Sequence, residues 1–168
     1  MPRDKWPRVE KSLRQLGVSE RMIWRVEGAR EYLTEMDSLG TPLMPDFTLH
    51  NHNHSDNVVL LLARLQERFQ FQLNDHEAYL LATSAYLHDL GMFFSEERFR
   101  REILPDPGQA LRACPQGACD HIEKYQLGGK DIGAQIRETH NLLSAFMLRK
   151  DSIVPGFIEQ DELSYLIT

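Results

Sequence analysis

The stretch NDHEAYLLATSAYLHDLGM, residues 74–92, decides the fold, because it carries both ends of one predicted helix. Asn74 followed three residues later by Glu77 is typical of the capping box that begins a helix. Gly91 suits the left-handed position that follows a helix end. The apolar positions between these signals recur at helical spacing. The stretch therefore predicts an amphipathic helix that ends in a His-Asp dipeptide.

That dipeptide, His88-Asp89, is chemically conspicuous. His88 follows Leu80 and Ser84 by eight and four residues, which predicts a position on the inward face of the helix. A carboxylate next to an imidazole is expensive to bury unless the two are paired or bind a metal. A polar or metal-binding site is therefore expected where this helix ends.

The rest of the chain is also predicted to be helical. We expect helices over residues 6–17, 19–40, about 54–69, 95–104 and 130–150, with Gly17 as a stop and Ser19 as an N-cap, and one more from about residue 157. Residues 105–129 are rich in proline and glycine and predict an irregular segment. Strand-type alternation is missing, so the prediction is an all-α bundle. It forms one domain over residues 1–168, with N-terminal helices at 6–38 and a core at about 45–150.

Composition limits the function. The chain has 168 residues and a net charge of −6, which argues against a duplex nucleic acid partner but not against a small phosphorylated ligand. It has no run of 18 apolar residues and no apolar leader, so we expect no membrane contact and a cytoplasmic location. Cys114 and Cys119 could form a disulfide, or with His121 could supply three zinc ligands, but a reducing cytoplasm is the simpler interpretation.

The C-terminal pattern suggests that the chain continues. The helix predicted from about residue 157 stops in mid-pattern, with Leu163, Leu166 and Ile167 apolar and no stop signal after them. We therefore expect a fragment of a longer protein, with a further domain or partner beyond residue 168. A frayed natural terminus is the alternative.

Two further histidines occupy apolar stripes. His54 precedes Val58, and beyond it Leu61, Leu62 and Leu65, at offsets that predict a buried face. His140 has apolar residues four before and three and seven after it. A single histidine on an apolar face is more often bonded to a backbone carbonyl than to a metal. Three on three helices, with one adjacent aspartate, instead favour a metal centre between facing helices.

The remaining histidines are weaker candidates. His50 would share the face of His54 only if that helix began earlier, and His52 fits neither face and is expected to be solvated. His76 and His121 are also predicted to be solvated.

Four segments together resemble the HD-domain superfamily of metal-dependent phosphohydrolases. They are FTLHN (47–51), HNHSDNVV (52–59), YLHDLGM (86–92) and IRETHNLLSAFML (136–148). The resemblance covers about residues 45–150, and its signature is a histidine that opens one helix and a His-Asp pair that closes a later one. The most similar subgroup is that of HD domains placed ahead of a chaperone-type GHKL ATPase in bacterial proteins.

The resemblance implies a ligand set. His54, His88 and Asp89 would hold a divalent cation, and His140 would bind a second metal or contact substrate. His50 would support a ligand or face the substrate. The family normally supplies one more aspartate from a late helix, whereas here only Asp151 and Asp161 come late, and neither has a matching context. Asn51 also replaces the glycine usual after the entry histidine.

Such ligands imply a hydrolytic chemistry. Two imidazoles and a carboxylate suit Mn²⁺, Fe²⁺, Mg²⁺ or Zn²⁺, which lower the pKa of a water and polarise a phosphoryl oxygen. Asp89 would be catalytic, holding the metal with one oxygen and orienting the water with the other. Arg137 is the candidate for phosphate binding, although a solvated helix arginine is an equal interpretation. A solvated face is favoured for the basic cluster Arg98, Arg100 and Arg101.

Two functions follow from these residues. The first is a metal-dependent phosphohydrolase that acts on a nucleotide or another small phosphate ester. The second is a non-catalytic HD-like module that binds a nucleotide signal or a partner domain. The absence of a matching late aspartate supports the second function, and the intact histidines and Asp89 support the first.

Overall fold

Helices account for most of the residues that the structure describes. The computed structural model of the protein describes residues 5–38, 51–112 and 131–150, together with Ile158, Glu159 and Glu162. Within these residues there is no strand, and the all-α prediction is confirmed. The helices are α1 (Trp6–Leu16), α2 (Glu20–Ser38), α3 (His52–Phe69), α4 (Asp75–Leu87), α5 (Glu96–Glu102), α6 (Pro107–Arg112) and α7 (Ile132–Lys150), with a 3-10 helix, Leu90–Phe93, between α4 and α5.

Several helix ends lie where local signals predict them. Gly17 follows α1 in the left-handed conformation with φ of 101°. Asn74 and Glu77 form both bonds of the capping box of α4, since each side chain accepts the other residue's backbone N–H at 2.9 Å. The side chain of Ser95 caps α5 by accepting the N–H of Arg98 at 3.1 Å. These ends are set by short-range hydrogen bonds.

Three local predictions are corrected. The helix expected from about residue 54 begins at His52, because the side chain of Asn51 caps it and accepts the N–H of His54 at 3.2 Å. Gly91 is not left-handed, since α4 ends at Leu87 and Gly91 lies in the 3-10 helix. The predicted irregular segment 105–129 contains the short helix α6.

The buried face of α3 also differs from the prediction. Leu61 is 53% exposed and Leu65 is exposed as well, whereas Val59 and Ala63 are buried. The physical reason is Asp56, which is fully buried and ion-paired to an arginine of α2. That carboxylate must face inward to reach its partner. α3 is therefore rotated about its axis, so that Val59 and Ala63 are buried instead of Leu61 and Leu65.

Packing around α4 and α7 positions the candidate site. α2 and α3 pack on α4, α1 packs on α3, and the 3-10 helix after α4 packs closely against α7. A continuous core of buried apolar side chains runs through these helices, with Tyr79, Tyr86, Phe94 and Phe99 its largest fully buried members. None of the helices in the described ranges combines the length and the apolar character needed to cross a bilayer.

Some predictions fall outside the described residues. His50, Cys114, Cys119, His121, Asp151 and Asp161 all lie there, and so does most of the helix predicted from about residue 157.

Candidate metal centre

The His-Asp dipeptide occupies the junction between α4 and the 3-10 helix. His88 is the C-cap residue of α4, and Asp89 is the N-cap residue of the 3-10 helix. Asp89 is only 5% exposed, whereas the His88 side chain is 46% exposed, so the predicted inward position of His88 is wrong. The helix ends before His88, which leaves the imidazole at the surface above a buried carboxylate. The two side chains meet at 2.9 Å between His88 Nε2 and Asp89 Oδ2.

His54 completes a three-residue cluster. It lies in the first turn of α3, and its ring centroid is 6.1 Å from that of His88. One donor atom from each of His54, His88 and Asp89 lies within 4.8 Å of the other two. These two imidazoles and one carboxylate form a ligand set of the kind that divalent transition metals accept.

His140 approaches the same carboxylate from the other side. Its Nε2 is 3.4 Å from Asp89 Oδ1, so the two oxygens of Asp89 face two different histidines. Its Nδ1 lies 2.6 Å from the backbone carbonyl of Arg137, one turn earlier on α7. α7 therefore contributes a fourth side chain to the rim of the cluster.

The hydrogen bonds of the two rings next to Asp89 fit a metal site. The Nδ1 atom of His88 lies 3.2 Å from the carbonyl of Ala85. A carbonyl only accepts hydrogen bonds, so Nδ1 carries the proton in His88 and also in His140. In the neutral rings the lone pair is then on Nε2, the atom that faces Asp89. Holding the second nitrogen by a carbonyl is the usual way in which a protein orients a metal-binding histidine.

The pKa values of both histidines reflect the same carboxylate. In its protonated form His88 donates a hydrogen bond from Nε2 to Asp89, and this bond raises the pKa of His88 above its usual value, against an opposing effect of burial. Asp89 raises the pKa of His140 in the same way. The buried carboxylate thus attracts positive charge at Nε2, the side on which a cation would be held.

Hydrogen bonds between the Ser144 side chain and backbone groups hold the His88-Asp89 dipeptide against α7. The Ser144 hydroxyl lies 2.7 Å from the carbonyl of His88 and 2.8 Å from that of His140, and it accepts the Gly91 N–H at 2.8 Å. Ser144 is buried. Sequence reasoning missed it, although a serine four residues after His140 on an apolar stripe is a readable signal.

The remaining candidates lie elsewhere. Arg137 is exposed on α7, and its phosphate-binding role stays a prediction. The prediction that His52 is solvated is wrong, since its side chain is 22% exposed and Nδ1 lies 3.6 Å from an Asp37 oxygen. His76 is about half exposed.

The basic cluster of α5 is paired rather than free. Arg100 and Arg101 are exposed as expected and pair with glutamates one turn earlier. Arg98 is largely buried, stacks 4.6 Å above the Phe94 ring and binds Glu102, so the solvated interpretation is wrong for this residue. The cluster is therefore neutralised by its own helix.

The all-α fold and the cluster of His54, His88 and Asp89 agree with an HD-type helical domain. The chain matches the HD-CE family model over residues 44–166, and it therefore belongs to the HD-CE family, which is related to the HD domains. No curated protein matches the chain, and no solved structure matches it.

Proposed function

We propose that the protein is an HD-type, metal-dependent phosphohydrolase that acts on a nucleotide or another small phosphate ester in the cytoplasm. The observation that carries this proposal is the cluster of His54, His88 and Asp89, whose donor atoms lie within 4.8 Å of one another. A divalent cation held there supplies Lewis acidity for a phosphoryl oxygen and lowers the pKa of a water.

The roles of the side chains follow from their contacts. His88 and Asp89 bind through the atoms that already face each other, and His54 closes the set from α3. Asp89 is the catalytic residue in this proposal, because its buried carboxylate has two oxygens with separate partners and can orient a water with one of them. His140 binds a second cation or the substrate, and exposed Arg137 approaches the phosphate from the same helix.

One observation favours a second function. Among the described residues the cluster contains a single carboxylate, Asp89, which already faces both His88 and His140. A centre with one carboxylate fits an HD-like module that binds a nucleotide signal or a partner domain without hydrolysis. A further GHKL-type ATPase domain beyond residue 168 would be such a partner.

Metal binding and hydrolysis distinguish these functions. The purified full chain is stripped with EDTA, titrated with Mn²⁺ and then assayed with p-nitrophenyl phosphate and a panel of nucleotides. We expect roughly one to two Mn²⁺ per chain and Mn²⁺-dependent phosphate release. Asp89→Asn should reduce that release at least about a hundredfold, because Asp89 is the one carboxylate that the described residues contribute to the cluster.

Asp106→Asn is the matched control. It makes the same chemical change at an exposed residue whose side chain caps α6 by accepting the N–H of Gln109 at 2.8 Å, and asparagine caps equally well. It should keep wild-type binding and hydrolysis. Mn²⁺ binding without hydrolysis of any substrate would favour the binding module, and no Mn²⁺ binding by the wild type would overturn the metal centre.

A further inference from the structure

A buried polar cluster joins α3, which carries His54, to α4, which His88 follows. Tyr86 of α4 donates its hydroxyl hydrogen bond to Asp56 Oδ1 of α3 at 2.9 Å. Arg30 of α2 donates to both oxygens of the same carboxylate, at 2.9 and 3.1 Å. Asp56 and Tyr86 are fully buried. Three helices thus meet at one carboxylate.

The position of this cluster in the chain links it to the site. Asp56 lies two residues after His54, at the start of the second turn of α3, and Tyr86 lies two residues before His88, in the last turn of α4. The Tyr86–Asp56 hydrogen bond therefore ties together the two helix ends that bear the histidine rings. Neither Asp56 nor Tyr86 supplies a donor atom to the cluster of His54, His88 and Asp89. A substitution of either residue would therefore affect metal binding indirectly, by moving the helix ends.

Stability alone does not account for such a group. A buried ion pair loses much of its Coulombic attraction to desolvation, and well-packed apolar residues are often as stabilising. What a buried network does impose is a single arrangement of its members.

We infer that Tyr86 and Asp56 are positioning residues of the metal centre, which hold His54 and His88 at the separation needed to bind one cation. The inference rests on the proposed function, because it assigns these residues a part in the same site. Removing the hydroxyl should let the ends of α3 and α4 move apart and should weaken metal binding without touching a ligand.

The chain offers a matched control on the same helix. Tyr79 is also fully buried in α4, and its hydroxyl donates to Glu162 at 3.3 Å. Glu162 is ion-paired to Arg25 of α2. Tyr79 thus repeats the tyrosine–carboxylate–arginine arrangement two turns before Tyr86 and farther from the His-Asp dipeptide.

The first test compares Mn²⁺ affinity by calorimetry in the full chain, for wild type, Tyr86→Phe and Tyr79→Phe. We expect Tyr86→Phe to weaken binding roughly tenfold, as the loss of indirect support does at metal sites, and Tyr79→Phe to stay within about twofold of the wild type. The melting temperature of each variant is measured beside the affinity. Equal weakening in both variants, or none in Tyr86→Phe, would overturn the inference.

A second readout does not require metal. In the ¹⁵N-labelled, EDTA-treated chain, Tyr86→Phe should shift the ring resonances of His54 and His88 and leave those of His76 in place. Tyr79→Phe should do the reverse, because the His76 ring lies 6.2 Å from the Tyr79 ring. Unchanged His54 and His88 resonances in Tyr86→Phe would contradict the inference.

The two readouts separate the inference from the proposed function. If the wild type binds no Mn²⁺, the metal centre fails, while the histidine spectra still decide whether Tyr86 positions the rings. Should Tyr86→Phe not fold, Arg30→Lys takes its place, since lysine keeps the charge but loses the two-point hold on Asp56. Shifts and a weakening of Mn²⁺ binding in the same direction, but smaller, are expected of it, because the Tyr86 hydrogen bond to Asp56 is kept.

Discussion

Gly91 packs directly against the backbone carbonyl of His140, where a Cβ atom would stand 2.0 Å from the oxygen. The backbone of Gly91 is not left-handed, so the requirement for glycine here is one of space alone. This contact brings the residues that follow Asp89 onto α7 and sets how far His140 stands from the carboxylate.

Gly91→Ala should therefore destabilise the fold by about 3 kcal/mol, the upper part of the range for overpacked sites. The new methyl group meets the rigid backbone of α7 and the Leu143 side chain, so relief requires α7 to move away from the 3-10 helix. Urea unfolding followed by circular dichroism measures the loss. A variant as stable as the wild type would show that the contact is looser than this structure has it.

Ser144→Ala should cost about 1–3 kcal/mol, because it leaves the buried N–H of Gly91 without its acceptor. Ser84→Ala is the matched control, since within the described part of the chain the Ser84 hydroxyl bonds only to the Leu80 carbonyl one turn earlier in α4, and such local bonds add little. Urea midpoints of the two variants are compared with that of the wild type. Equal effects of both substitutions would argue against a special role for Ser144.

Glu102 makes the stability of the fold depend on pH. Its partial burial disfavours ionisation, but hydrogen bonds from Arg101, Arg98 and Lys150 outweigh that effect and lower the pKa of Glu102 to about 2 from 4.5. Because the folded pKa is depressed, the stabilisation is present above pH 4.5 and is lost as the pH falls towards 2. Glu102→Gln should thus lower stability at pH 6, and the difference from wild type should shrink between pH 4.5 and 2.

Urea unfolding of both proteins across that pH range is the measurement. Glu67→Gln, at an exposed position of α3, is the control and should remain close to the wild type. A Glu102→Gln penalty that does not change with pH would contradict the electrostatic origin.

The rotation of α3 predicts which apolar side chains matter. Leu61→Ala should change the free energy of unfolding by less than about 0.5 kcal/mol, because Leu61 is mostly exposed. Val59→Ala should cost about 2 kcal/mol, because Val59 is fully buried and its loss leaves a cavity. Thermal unfolding of the two variants is a direct check. A larger loss of stability in Leu61→Ala than in Val59→Ala would contradict this rotation and would support the buried face that the sequence predicts.

Local signals explain what could be read from the sequence. Capping residues such as Asn74 and stop residues such as Gly17 act through neighbours a few positions away, so they are visible in the sequence itself. The grouping of His54 with the His-Asp dipeptide was also foreseen, from the resemblance to HD domains, whose signature is a histidine that opens one helix and a His-Asp pair that closes a later one.

Contacts between residues far apart in the sequence explain the features that could not be predicted from it. The orientation of α3 depends on the pairing of Asp56 with Arg30, which lies 26 positions away, and an acidic residue in an apolar pattern looks like a surface residue until its partner is known. The role of Ser144 depends likewise on backbone groups 53 and 56 positions distant. Such contacts are settled by packing rather than by local propensity.

The paired clusters along α4 also restrict how the sequence can change. Sliding α4 by one turn would separate Tyr79 and Tyr86 from the carboxylates that accept their hydroxyl hydrogen bonds and would leave two buried hydroxyls unpaired, so only one register of α4 is tolerable. A substitution of Arg25 or Arg30 alone would leave a buried negative charge uncompensated. We therefore expect tolerated sequences to replace each arginine together with its carboxylate, so that the two clusters mark positions of coordinated change.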